Sequence, residues 1–178
     1  MPSIQKSTSK FILTEGGGYG ILTLHRPENV DDTDVLRLLM ATMLEVAAHI
    51  PLIFPIHPRT KAKFQDLGFF GTERLRLVDP VGYIDMVSLV KNATCVLTDS
   101  GGLQEETTAL GVPCITLRNE TERPVTVTVG TSEIVGRDRV QIVSAVERVL
   151  RGEWKRGRIP DLWDGRASER IADILLHL

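Results

Sequence analysis

Apolar residues in this chain fall into short unbroken runs, separated by longer stretches in which they recur every three or four positions. The runs lie at 20–24, 52–56, 75–78, 93–98, 112–117 and 132–135. A strand with one face in water alternates polar and apolar residues. An unbroken run instead predicts a strand covered on both faces, as in a parallel sheet. Between the runs the period is helical. Asp31, Asp32 and Asp34 supply capping and first-turn charge ahead of a stripe of Leu36, Leu39, Met43 and Ala47. Residues 83–91 and 103–110 read as helices, the second stopped by Gly111 and Pro113. Residues 138–151 carry Ile142, Ala145, Val146 and Val149 on one stripe. Strand and helix in alternation predict an α/β fold, a doubly wound and mostly parallel sheet of Rossmann-like type.

The same pattern divides the chain. Residues 1–18 read as a loose lead-in and 19–151 as the α/β domain. Residues 152–162 read as a linker, basic and poor in apolar residues up to Pro160. Residues 163–178 form a final helix whose Ile171, Ile174, Leu175 and Leu178 share a face that needs a surface to pack on. With 178 residues, one domain and its core are expected.

Composition narrows the partners. Apolar residues at 42% and charged residues at 25% are ordinary for a globular protein in water. A net charge of −2 gives no support for a nucleic-acid or anionic-membrane partner. No run approaches the ~20 apolar residues a membrane span needs, and residues 1–4 begin no secretory signal. Cys95 and Cys114 both sit in apolar runs, so buried thiols in a reducing cytoplasm are expected rather than a disulfide. The four histidines are scattered and no Cys or His pair has metal spacing. No metal and no cofactor are expected.

Ligands of open α/β sheets bind beyond the carboxyl ends of the strands. Those ends carry His25-Arg26-Pro27-Glu28-Asn29, His57-Pro58-Arg59, Asp79-Pro80-Val81-Gly82-Tyr83, Asp99-Ser100-Gly101-Gly102, and Arg118 through Arg123-Pro124. In LTDSGGLQEE, residues 97–106, a strand runs through two glycines straight into a helical pattern. Adjacent glycines allow a tight turn and the approach of an anion to N–H groups at a helix N-terminus, and Ser100 can add a hydroxyl. The simpler alternative is a plain turn capped by Ser100. The stretch is neither a Walker A loop nor a dinucleotide fingerprint. Glu106, about one turn beyond Gly102, can reach past a phosphate to ribose hydroxyls, or stand in solvent. His25 at the first strand's end is a ligand contact or a structural histidine. Thr121-Glu122-Arg123-Pro124 offers a cap and a first-turn proline, with Arg123 forking onto a phosphate or forming a surface ion pair. The glycines at 16–18 precede their strand and are no dinucleotide loop. Trp154 and Trp163 read as packing residues.

Taken in order, LTLHRPEN, FPIHPRT, LTDSGGLQEE, LGVPCITLRNETERP and VGTSEIVG, with the DGRASERI tail, resemble the non-hydrolysing UDP-N-acetylglucosamine 2-epimerases. The resemblance implies the second, UDP-binding half of a two-domain GT-B-type fold. It implies that Ser100, Gly101 and Gly102 hold the diphosphate and Glu106 the ribose. His25 and Arg123 would line the phosphate and sugar side, with His25 in a supporting catalytic role. Val81 to Met86 would lie against the uracil. Met86 stands where some members carry an aromatic ring, and Pro27 where many carry a second arginine.

The family's acid–base carboxylates, which remove the sugar C2 proton and expel UDP to a glycal intermediate, come from a first domain without counterpart in this sequence. The expected partners are therefore UDP or UDP-N-acetylglucosamine and a separate or missing N-terminal domain on which the last helix packs. Two other readings stay open. One is a stand-alone nucleotide-sugar binding module; the other is the donor-binding domain of a GT-B glycosyltransferase.

Overall fold

The six expected strands form and run parallel in one sheet. A computed structural model describes residues 18–177, so all but Gly18 of the expected lead-in lies outside the described residues. The strands are β1 (Gly20–Thr23), β2 (Leu52–Pro55), β3 (Leu75–Val78), β4 (Cys95–Thr98), β5 (Cys114–Thr116) and β6 (Ser132–Ile134). The helices are α1 (Pro27–Val30), α2 (Thr33–His49), α3 (Pro58–Asp66) and α4 (Tyr83–Lys91), then α5 (Gly101–Leu110), α6 (Pro124–Thr128), α7 (Arg139–Leu150) and α8 (Ala167–Leu176). Strand order is β3-β2-β1-β4-β5-β6, so the winding reverses between β1 and β4. That reversal opens a crevice at the carboxyl ends of these two strands. They are in register there, Thr23 opposite Thr98, with the two hydroxyl oxygens 2.6 Å apart.

Each strand sends alternate side chains to opposite faces, which explains the unbroken apolar runs. Leu22, Leu52, Phe54 and Ile115 pack against the stripes of α2 and α7. Ile21, Ile53 and Val96 pack against Leu89 and Val90 of α4 and Leu103 of α5. Asp32 caps α2 by accepting from the Asp34 and Val35 N–H groups, and Asp138 caps α7 by accepting from Gln141. Gly111 ends α5 with φ 73°, a left-handed conformation that suits glycine.

Helix α3 was not expected. Its one large buried apolar side chain, Phe64, leaves no stripe to read from sequence. Phe64 instead anchors the helix through rings, edge-on to Phe54 at 5.7 Å and to Phe69 at 5.5 Å. Strand β3 fills its apolar run, and the other five are one to three residues shorter than theirs, because those runs extend into the turns.

Beyond α7 the chain has no regular structure until α8, yet it is fastened. Trp154 is buried, donates its indole N–H to the Thr131 carbonyl at 2.8 Å, and carries Arg148 over its ring at 4.9 Å. Lys155 donates to the Val127 carbonyl, and the Arg158 N–H reaches the Val129 carbonyl at 3.0 Å. Gly157 lies so close to Gly130 that a Cβ at 157 would meet the Gly130 carbonyl carbon at 2.4 Å. Helix α8 is different: none of its residues is buried, and Ile171, Ile174, Leu175 and Leu176 are exposed. No described helix is long and apolar enough to cross a membrane.

Candidate functional site

The crevice is organised around Asp99, the residue that follows β4. Its side chain has no exposed surface. One carboxylate oxygen accepts from the His25 N–H at 3.0 Å, the Arg26 N–H at 2.9 Å and the Asn29 amide at 3.0 Å. The other lies 2.9 Å from His25 Nδ1. Burial alone would raise the Asp99 pKa, but the hydrogen bonds from His25, Arg26 and Asn29 outweigh it and hold the group below the ordinary aspartate value. His25 moves the other way. Its bond to Asp99 raises the imidazole pKa against the opposing effects of burial and of Arg26 and Arg118. Asn29, itself buried, also donates to the Leu117 carbonyl at 3.1 Å, so one side chain ties the loops after β1, β4 and β5 together.

Next to Asp99, Ser100 caps α5. Its N–H donates to Thr98 Oγ1 at 2.9 Å and its hydroxyl accepts from the Leu103 N–H at 3.4 Å. Gly101 and Gly102 form the first turn of the helix. Neither needs to be glycine for its backbone, since neither lies in the left-handed region that the tight-turn explanation would require. Nor does packing demand it. A Cβ on Gly101 would come no nearer than 3.8 Å to Arg123 Cγ, and one on Gly102 no nearer than 3.8 Å to Ser100 Oγ. What a Cβ would occupy is the open side of a helix N-terminus, where the first N–H groups lack intrahelical acceptors and the dipole favours an anion.

Charged side chains rim this surface in linked pairs. Arg118, almost wholly buried, donates to Glu122 at 2.6 Å and to Glu28 at 3.2 Å, and Glu122 faces Arg26 at 3.7 Å. The bond from Arg118 is the main reason the Glu122 pKa falls to about 2. Arg123 is exposed and paired with Glu105 at 2.8 Å. The loop that carries Arg123 is pinned by Gln104, whose buried carbonyl oxygen accepts from Thr121 at 2.6 Å. Thr121 in turn accepts from the Arg123 N–H at 3.0 Å. Glu106 is half-buried on the same helix, and burial followed by the Glu105 charge raises its pKa.

Thus His25, Ser100, Gly101, Gly102 and Arg123 meet at one crevice, with Glu106 a turn further along α5. Val81 and Met86 lie on the α4 side, packed with Leu103 against the same apolar cluster. His57 stands on the opposite flank, in a cleft of about 260 Å³ shared with His25, Thr60 and Lys63.

The chain matches the profile of UDP-N-acetylglucosamine 2-epimerase over residues 1–176. It belongs to the UDP-N-acetylglucosamine 2-epimerase family. The enzyme of that name from Methanocaldococcus jannaschii is 41% identical over 167 residues, covering 89% of this chain and 44% of the relative. The UDP-2,3-diacetamido-2,3-dideoxy-D-glucuronate 2-epimerase of Pseudomonas aeruginosa is 37% identical over 175 residues, covering 98% of this chain and 49% of the relative. The crystal structure of the M. jannaschii epimerase in complex with UDP-GlcNAc and UDP superposes with a TM-score of 0.85 at 36% identity. That superposition covers 100% of this chain and 49% of the other. The chain spans about half the length of the curated relatives it matches. The epimerase fold accounts for the parallel sheet and its flanking helices.

Asp99, Asn29, Arg118 and Gln104 organise this epimerase-family crevice, and none stood out in the sequence. A signal existed for one of them. Gln104, Thr107 and Thr108 share the buried stripe of α5, where apolar residues would be expected. Polar residues on a core-facing stripe mark a hydrogen-bonded network.

Proposed function

We propose that these 178 residues form the UDP-binding half of a UDP-N-acetylglucosamine 2-epimerase, an isomerase interconverting UDP-GlcNAc and UDP-ManNAc. The observation that carries this reading is the glycine pair on α5. Neither backbone conformation nor packing requires glycine there, and both residues lie at a helix N-terminus beside a cationic Arg123 and a histidine of raised pKa. In this reading Ser100 and the N–H groups of Gly101 and Gly102 hold the diphosphate. His25 and Arg123 meet its charge, and Glu106 accepts from the ribose hydroxyls. The uracil stacks on Met86 while backbone around Val81 and Gly82 reads its edge, so UDP binds more tightly than ADP. The relatives named above share UDP and differ in the sugar, which supports assigning the nucleotide half of the ligand to this chain.

The chemistry at the sugar needs a base within roughly 3 Å of the C2 hydrogen, in a site closed to water. Asp99 is saturated with donors, Glu28 and Glu122 are held by Arg118, and Glu105 is held by Arg123. We therefore assign the acid–base carboxylates to the half of the relatives that this chain does not span. We assign the apolar face of α8 to that half as well. The buried thiols of Cys95 and Cys114 agree with a cytoplasmic setting, where nucleotide sugars are made. No cofactor enters this reading.

The test pairs calorimetric titration with UDP and incubation of the 178-residue chain with UDP-GlcNAc in deuterated water. Binding without deuterium at C2 is expected. Absence of UDP binding overturns the reading, and deuterium at C2 overturns the assignment of the base to the other half.

A further inference from the structure

We propose that Asp99 is a positioning residue. It fixes the His25 ring so that Nδ1 is committed to the protein and Nε2, protonated, is left for the phosphate of a bound nucleotide. This deepens the reading above and rests on it. The two residues are brought together by topology: β1 and β4 are neighbours in parallel register at the reversal of the sheet, so Leu24-His25 just past one strand end lies beside Asp99 just past the other. The grip is unusually complete. Asp99 takes the backbone N–H of His25 as well as its ring nitrogen, and the next backbone N–H as well, so ring and loop are oriented by one buried carboxylate. With both oxygens occupied, Asp99 has none left for a ligand. It acts through His25 or not at all.

Charge follows from the same contact. The groups facing His25 are Asp99 from the end of β4, Arg26 on its own loop and Arg118 beyond β5. Asp31, His57 and Lys63 line the cleft it shares. Asp99 contacts the ring directly, at 2.9 Å, and its effect prevails, so the imidazole pKa lies above the ordinary value of ~6.5. A raised histidine value means the pairing stabilises the fold fully below the unfolded pKa. That contribution is lost as pH rises through the folded value. Phosphate binding should follow the same course, strong while the ring is charged and weaker above its midpoint.

The experiment uses the full chain with labelled histidine. The His25 ring is titrated by NMR without ligand, and UDP affinity is measured by calorimetry from about pH 5.5 to 9. Three proteins are compared: the unaltered chain, Asp99→Asn and His25→Gln. In the unaltered chain His25 should titrate above its ordinary value, and UDP affinity should fall by about tenfold for each unit by which the bound phosphate shifts that titration further. Asp99→Asn should bring the His25 midpoint down to or below the ordinary value and move the fall in affinity with it. His25→Gln should bind at the unaltered chain's high-pH level and retain only the pH dependence of UDP itself. Should Asp99→Asn fail to fold, His25→Gln still decides, because a profile identical to the unaltered chain overturns the proposal. An unchanged His25 midpoint in a folded Asp99→Asn overturns it too. If the unaltered chain does not bind UDP, the functional reading falls together with the phosphate-facing role of Nε2. The NMR titration alone then decides whether Asp99 governs the ring.

Discussion

Asp99 is fully buried and Ile174 is 62% exposed, the reverse of what each side chain would choose in isolation. The two regions they stand for behave differently. At the end of β4 most buried polar groups are paired within the chain, carboxylate to amide, arginine to glutamate, glutamine to threonine, although Asn29 Oδ1 and Gln104 Nε2 are left without a hydrogen-bond partner. On α8 the exposed leucines and isoleucines have no compensation among the described residues, and none of its ten residues is buried. A buried network of this kind specifies one arrangement of three loops, and so prepares a surface for a ligand. An uncovered apolar stripe prepares nothing by itself and calls for a second surface. The chain therefore shows two unlike surfaces, a crevice shaped by its own buried network and an apolar helix face left uncovered among the described residues.

The comparison breaks most sharply at Gly101. Gly101→Val should leave circular dichroism unchanged, because a Cβ at this position comes no nearer than 3.8 Å to any neighbouring atom. It should still lower UDP affinity by about a thousandfold, or ~4 kcal/mol. Normal UDP binding by the folded variant would show that the open N-terminus is not the phosphate seat. Asp99→Ala comes next. Removing a buried carboxylate strands two backbone N–H groups and the Asn29 amide, and urea unfolding should register the lower end of the ~3–5 kcal/mol typical of breaking a buried ionic pair. A loss under about 1 kcal/mol would mean the three loops are held by something else. Glu106→Ala should leave stability alone and cost about 1.5–3 kcal/mol of UDP binding, if two ribose hydroxyls lose a charged acceptor. The smallest effect belongs to the other region. Leu175→Lys should change unfolding free energy by no more than about 0.5 kcal/mol, since the side chain is already in water. A larger loss would show that α8 is covered within this chain.

Acid should act through the same network. The Asp99 pKa is held below its ordinary value, so its contribution is present above the unfolded aspartate pKa and is lost as pH falls through the folded value. With His25 raised, the paired state is favoured between those two folded values, and both flanks should show in urea midpoints measured against pH.

The sheet was legible because its strands are buried on both faces, and continuous apolar runs such as Leu52 to Phe54 allow little else. Helix α3 was not, because a helix held by the single ring of Phe64 has no period. In the crevice, residues whose type announces an anion site, glycine, serine, histidine and arginine, could be picked out from their position after strands. Asp99 could not, since an acidic residue beside the proposed phosphate site reads as misplaced until its hydrogen bonds are seen. The spacing around Gly101 and Gly102 suggested a turn, whereas both are helical. Their glycine identity is an absence of obstruction rather than a conformational need. That distinction needs coordinates.

The backbone contact between Gly157 and Gly130 has a kinetic consequence. The Arg158 amide, bonded to the Val129 carbonyl in a segment with no regular structure, should exchange its hydrogen for deuterium on the timescale of the strand interior rather than that of a surface loop. A side chain at Gly157 would pry the two backbones apart and turn that slow amide into a fast one, long before the sheet itself gave way.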